Sequence, residues 1–180
     1  MRVFIAKSIL LVFVISFMTA CNNEPTLQEY LVAKRDAQQF INVDLPVSLF
    51  QFDSISLDDN QKAALKSIKK INVLALQVQK SGESMYTQEK ETITKILQGD
   101  NFNELMRFKN GSQQGVLTYY GEETAIDEMI FFGSDNNKGL IILRLLGDDM
   151  QPAQMTQLAK SFQGMDNNTA GLGVLEDLFK

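Results

Sequence analysis

The chain has 180 residues, with 17 lysines and arginines against 22 aspartates and glutamates, a formal net charge of −5. It contains no histidine, no tryptophan and a single cysteine. That composition excludes an intrachain disulfide, histidine-built metal centres and nucleophile triads with a histidine base, and its acidic balance argues against nucleic acid as a partner.

Arg2 and Lys7 are the only charged side chains before Cys21. From Ser8 to Ala20 the chain reads SILLVFVISFMTA, thirteen residues without a charge. A spanning helix needs about 20 apolar residues, so this run fits instead the apolar region of an export signal behind a positive start. MTAC, Met18 to Cys21, resembles the lipobox of bacterial lipoproteins, in which small residues precede a cysteine that is acylated and becomes the new N-terminus. The resemblance implies a signal peptide over 1–20, cleavage between Ala20 and Cys21, and lipid, palmitate among it, on Cys21. One acyl chain binds a membrane marginally, whereas two or three anchor stably at ~0.8 kcal/mol per buried CH₂. Loss of Arg2 and Lys7 would take the net charge from −5 to −7. The remaining 160 residues suit one domain with a sizeable core.

Residues 21–25 form a tether, and a single domain is expected over 26–162. Thr26 and Glu29 have the spacing of a capping box, opening a helix that uses Leu27, Tyr30, Leu31 and Ala37 and ends near Phe40. Ile41, Val43 and Leu45 alternate as in a strand, and Pro46 marks its end or an edge position. SLDDNQKAALKSIKKI predicts a helix capped by Ser56 or Asp58, with Ala64, Leu65, Ile68 and Ile71 on one face. INVLALQV, Ile71 to Val78, is apolar on both faces, as an interior strand is. A third helix is expected from Thr87 to Leu97, with Ile93 and Ile96 inward.

From Asn103 onward the runs LMRFK, GVLTYY, AIDEMIFF and GLIILRLL are strand-like. Short breaks separate them, NGSQ with the hairpin signal Asn110-Gly111, then GEE and GSDNNK. QPAQMTQLAKSF predicts a last helix, with Met155, Leu158, Ala159 and Phe162 at helical spacing and Pro152 in its first turn. The expected fold is α+β: a mixed sheet with a four-stranded C-terminal antiparallel meander and helices packed on one face. Residues 163–180 form a linker and an apolar C-terminal segment.

The strands NFNELMRFKN, MIFF and KGLIILRLLGDDM, the helix QPAQMTQLAKSF, the strand INVDLPVSLF and the lipobox together resemble a family of exported Bacteroidetes proteins known only as domain of unknown function 4252. The resemblance implies a small exported α+β domain, often a lipoprotein, with no established activity. Members are often encoded near sigma-factor-type regulators, which points toward envelope signalling. In Bacteroidetes an acidic cluster after the lipid cysteine directs export to the cell surface. Here only Glu24 follows, so the expected location is the outer membrane, lipid-anchored and facing the periplasm.

Chemistry-bearing candidates are few. Glu122-Glu123 fall in a turn, and Asp127 and Glu128, adjacent in a strand, point to opposite faces, so neither pair builds a two-carboxylate site. Asp166, Asn168, Gly171 and Asp177 match positions 1, 3, 6 and 12 of a calcium loop, but Ala170 at position 5 cannot ligate. The eight methionines read as core filling. Asp53 to Ile55, DSI, resembles a short O-glycosylation motif. Arg144 interrupts an apolar strand, either reaching solvent from the strand face, pairing with a carboxylate such as Asp127, or contacting an anion. Leu172, Val174, Leu175, Leu178 and Phe179 put five apolar side chains into eight residues, a docking segment for the protein's own sheet or for a partner.

The expectation is therefore a membrane-anchored envelope lipoprotein acting as a non-catalytic binding or interaction module. It needs no metal or cofactor beyond the covalent lipid. Its partners are the membrane, through that lipid, and an envelope protein. The alternatives are a carrier or sensor of an apolar small molecule and a carboxylate-based hydrolase. An apolar-lined pocket favours the carrier, two facing carboxylates the hydrolase, and a flat apolar patch the interaction module.

Overall fold

The structure, a computed structural model, describes residues 25–47, 57–121, 123 and 126–161. Its first element begins where the capping signal places it. The Thr26 hydroxyl accepts from the Glu29 backbone N–H at 3.2 Å, and the Glu29 carboxylate accepts from the Thr26 N–H at 2.8 Å. These bonds satisfy donors that the first turn otherwise leaves open, and the bond from the Thr26 N–H, followed by one from its hydroxyl, holds the Glu29 carboxyl below its usual range. Helix α1 then runs Leu27–Lys34, shorter than expected, and Phe40 already opens strand β1, Phe40–Pro46.

Helix α2, Asp59–Ser67, is capped by Asp58, whose side chain accepts from Gln61 N–H at 2.8 Å. It passes without a loop into β2, Ile68–Gln77. The sequence pattern extends the helix to Ile71, but strand pairing claims Ile68 onward. There Lys70 reaches Asp44 at 2.7 Å on β1, and Lys69 pairs with Asp148 on the other side. A one-turn helix α3, Val78–Ser81, precedes α4, Glu83–Leu97, which starts four residues before its expected position. Strands β3 (Phe102–Asn110), β4 (Gln113–Tyr120), β5 (Ile126–Asp135) and β6 (Gly139–Met150) form the expected meander, and α5 spans Pro152–Ser161.

The β3–β4 turn differs in register from its sequence signal. Asn110 stays in the ladder opposite Gln113, and Gly111 alone adopts positive φ, 58°. At the β5–β6 turn the Asp135 carboxylate accepts from the N–H groups of Asn137, at 2.8 Å, and Lys138, at 3.3 Å. The Asn137 bond is the main reason its carboxyl lies below the usual range.

The sheet order is β1-β2-β6-β5-β4-β3, and every neighbouring pair is antiparallel. The fold is α+β, as expected, around an open sheet. Two finer expectations are corrected: the sheet is not mixed, and its helices do not lie on one face. Both misreadings have one cause. A strand apolar on both faces, such as β2, needs cover on both faces; it does not need a parallel neighbour. Here one face is covered by α2 and α5 and the other by α1 and α4, with a separate core on each side.

Strand alternation assigns every residue to a face. On the α2/α5 side, three successive rows cross the sheet. The first is Leu45, Ile71, Leu145, Met129, Tyr119, and the second is Val43, Val73, Leu143, Phe131, Leu117, Met106. The third is Ile41, Ala75, Ile141, Gly133, Gly115, Phe108. No row contains a charged residue. The helix pair enters from the first-row end, where α2 runs into β2 and α5 follows β6. In the third row Ile41, Ile141 and Phe108 are only half-buried.

The opposite face is apolar at its centre, with Leu74, Leu76, Ile130, Phe132, Leu140 and Ile142 under α1 and α4. Among the described residues no helix is long and apolar enough to cross a membrane.

Candidate functional site: a cation-rimmed groove beside helix α4

Arg144 is the one predicted site residue that lies within the described residues. It sits on the α1/α4 face of β6, and its guanidinium donates twice to Glu128 on β5, both bonds 2.7 Å. These hydrogen bonds raise its already high pKa further. Register explains the choice of partner: Arg144 stands opposite Ile130, so Glu128 is its diagonal neighbour on the same face, whereas Asp127 is exposed. Both side chains of the pair are about four-fifths buried. Arg144→Leu therefore strands a largely buried carboxylate, and a loss of about 1–2 kcal/mol is expected. Adding Glu128→Leu should restore most of it, as chemical denaturation of the single and double variants would show. An equal loss in both would mean that the arginine acts through packing alone.

Cys21, Ala20, Leu172, Val174, Leu175, Leu178 and Phe179 lie outside the described residues, as do the DSI stretch and the calcium-like loop. Glu123 is exposed in its turn. Among the described residues no group of three or more aspartates, glutamates, histidines or cysteines is placed to hold a metal ion.

One concavity among the described residues is one the sequence did not point to. It is a groove of about 300 Å³ between α4 and the β3–β4–β5 end of the sheet. Helix α4 contributes Lys90, Thr94, Leu97 and Gln98, which share one helix face by their spacing. The floor comes from the strands: Phe102, Val116, Thr118, Phe132 and Ser134, with Glu104, Arg107, Lys109 and Gln114 along the rim. Glu104 is the one carboxylate in this lining, and Arg107 engages it through two hydrogen bonds, the Nε bond at 3.0 Å. Lys90 approaches the Asn136 side-chain oxygen at 3.3 Å and lies 5.5 Å from the centre of the Tyr86 ring. Thr118 and Ser134 are buried hydroxyls. Three cations against one carboxylate leave the groove positive in a chain of net charge −5. A concave wall of one sign attracts the opposite charge, and this lining offers hydrogen-bond donors beside apolar surface.

A second polar cluster fastens α1 to α4. Glu89 is buried, 6% exposed. It accepts from the Tyr30 hydroxyl at 2.8 Å and from the Lys34 ammonium at 2.5 Å. The same ammonium lies 5.5 Å from the Tyr30 ring centre and 5.3 Å from that of Phe40. Burial, then the hydrogen bond to Glu89 and its charge, push the Tyr30 phenol well above its usual range. The sequence did carry a signal. Glu89 falls on the apolar stripe of α4, between Tyr86 and Ile93, where a carboxylate requires a buried partner.

A family model described as a domain of unknown function (DUF4252) matches residues 32–158. The chain belongs to that family. The DUF4252 match takes in β1 to β6 and all of the groove lining, and it starts inside α1 and stops within α5. Comparisons with curated proteins and with solved structures found no match.

Proposed function

We propose that this DUF4252 protein is an envelope lipoprotein, held by lipid on Cys21 at the outer membrane and facing the periplasm. Its domain acts as a non-catalytic binding module for a partner that presents anionic and apolar groups together. The observation that carries this reading is the groove, with its cationic rim, hydroxyl and aromatic floor, and sole carboxylate engaged by Arg107. Such a lining recognises a ligand and offers no facing carboxylate pair for acid–base work. Its polar floor and charged rim suit an acidic peptide segment better than a wholly apolar small molecule. The capping box at Thr26, five residues after Cys21, would hold the domain close to the bilayer.

Two measurements test this. Cys21→Ala should move the protein from the membrane to the soluble fraction of its native cells. If it still sediments with membranes, the anchor lies elsewhere. A photo-crosslinking residue at Gln98, in the groove, should then trap an adduct that Lys109→Glu diminishes. The same residue at Ala63, exposed on α2, should trap none. Equal adducts at both positions would remove the groove from the proposal.

A further inference from the structure

We infer that the groove recognises an extended peptide segment in which an acidic and an apolar residue stand two positions apart, with the carboxylate seated over Ser134. This rests on the binding role proposed for the groove, and adds which end takes which group and at what spacing.

Strand register divides the groove floor into rows. Lys109, Gln114 and Ser134 pair in succession across β3, β4 and β5 and form a polar row. The neighbouring row is Arg107, Val116 and Phe132. All six residues line the groove. Arg107 is engaged by Glu104, so the second row presents the buried Val116 and Phe132 and is apolar.

Ser134 marks the polar row as a binding site. It is 7% exposed, and its hydroxyl forms no hydrogen bond among the described residues. Thr118, the other hydroxyl of the floor, donates to the Ile130 carbonyl at 3.5 Å. No unbonded side-chain nitrogen or oxygen among the described residues is sealed from solvent, so the Ser134 hydroxyl opens into the groove that it lines. A buried hydroxyl without a partner calls for one. Two ammonium groups flank it. Lys109 stands in its own row, and Lys90 comes from α4, 3.3 Å from the side-chain oxygen of Asn136. Neither lysine pairs with a carboxylate among the described residues. A hydroxyl, an amide and two ammonium groups suit a group that only accepts, and charge-assisted bonds of this kind are the stronger ones.

Spacing follows from the pleat. The two rows lie two residues apart along each strand, ~6.6 Å. An extended peptide running along the strands repeats its same-face side chains at the same interval. With its acidic residue over Ser134, the side chain two positions away falls over Val116 and Phe132. A helix is ~10 Å across. The floor spans two inter-strand spacings, also ~10 Å, and side chains of α4 and Arg107 stand along it, so the groove has room for an extended chain and none for a helix.

The probe is the capped peptide Gly-Phe-Ser-Glu-Ser-Phe-Gly, which offers the spacing in both chain directions, titrated calorimetrically against the full chain. Replacing its Glu by Gln, or adding a further Ser on each side of the Glu, should weaken binding about tenfold. Ser134→Ala should weaken the Glu probe about tenfold and leave the Gln probe unchanged. Lys109→Gln, at an exposed position, makes the same test if Ser134→Ala does not fold. The inference is overturned if charge or spacing in the probe makes no difference, or if Ser134→Ala weakens both probes equally. Inorganic phosphate binding as tightly as the Glu probe also overturns it, because the polar row is then a small-anion site. The Gln98 crosslink separates the two levels. An adduct that persists while the probes bind without regard to charge or spacing overturns this inference alone, whereas loss of both adduct and probe binding overturns the groove reading with it.

Discussion

Lys34→Met is expected to destabilise the domain by ~3 kcal/mol, because it leaves the buried Glu89 carboxylate without its cation. Glu89 is 6% exposed and holds two partners, the Lys34 ammonium and the Tyr30 hydroxyl. Removing the ammonium also removes a cation lying between the Tyr30 and Phe40 rings. Tyr30→Phe should cost less, about 1–2 kcal/mol, since one hydrogen bond to the carboxylate is lost while the ion pair stays. The same phenol confers an alkaline limit. Its folded-state pKa is raised above the unfolded value of about 10. The folded chain therefore keeps a proton that the unfolded chain releases. This contribution is complete below about pH 10 and is lost as pH climbs further. Urea midpoints should thus fall between pH 9 and pH 11, and fall less in Tyr30→Phe. Identical alkaline profiles for the two proteins would show that the phenol does not govern the loss. Midpoints unchanged by Lys34→Met would show that the pair is dispensable.

Gly139→Ala is expected to cost about 3 kcal/mol, on two grounds that act together. Gly139 holds φ at 143°, a region that residues with a side chain rarely occupy. A Cβ at this position would also fall against the Leu76 carbonyl oxygen, an atom of a central strand rather than a flexible side-chain end. Gly139 stands opposite both Gln77 and Asp135 in the ladders, so relief would require β6 to part from β2 or β5. Gly111→Ala serves as the comparison. It too has positive φ, 58°, but nothing lies within 4 Å of where its Cβ would stand, so it should pay the backbone cost alone, ~1 kcal/mol. Thermal unfolding of the two variants checks this. Equal losses would show that the close approach at Leu76 relaxes without penalty.

Much of the architecture was written in local pattern. The Thr26–Glu29 capping box, the alternation through Ile41, Val43 and Leu45, the helical spacing of Met155 and Leu158, and the meander after Asn103 each depend on neighbours within a few residues. For that reason they could be read from the chain. Class followed from their order, and the family resemblance followed from the same strand and helix patterns. Where a pattern ended, competition decided: α2 stops at Ser67 because β1 and β6 both pair with the residues beyond it.

What only the tertiary structure decided is which surfaces meet. An apolar strand such as β2 announces that both its faces are covered, but not by which helices or beside strands of which direction. Arg144 announced a need for a carboxylate, yet the pleat and the β5–β6 register selected Glu128 over Asp127. Glu89 found Tyr30 and Lys34 across more than fifty residues. The groove draws its cations from α4 and β3, which carry no shared motif. Residue type and spacing set the local elements, because those depend on short-range sterics and periodicity. Sites assembled by contact between distant segments exist only once the sheet has brought those segments together.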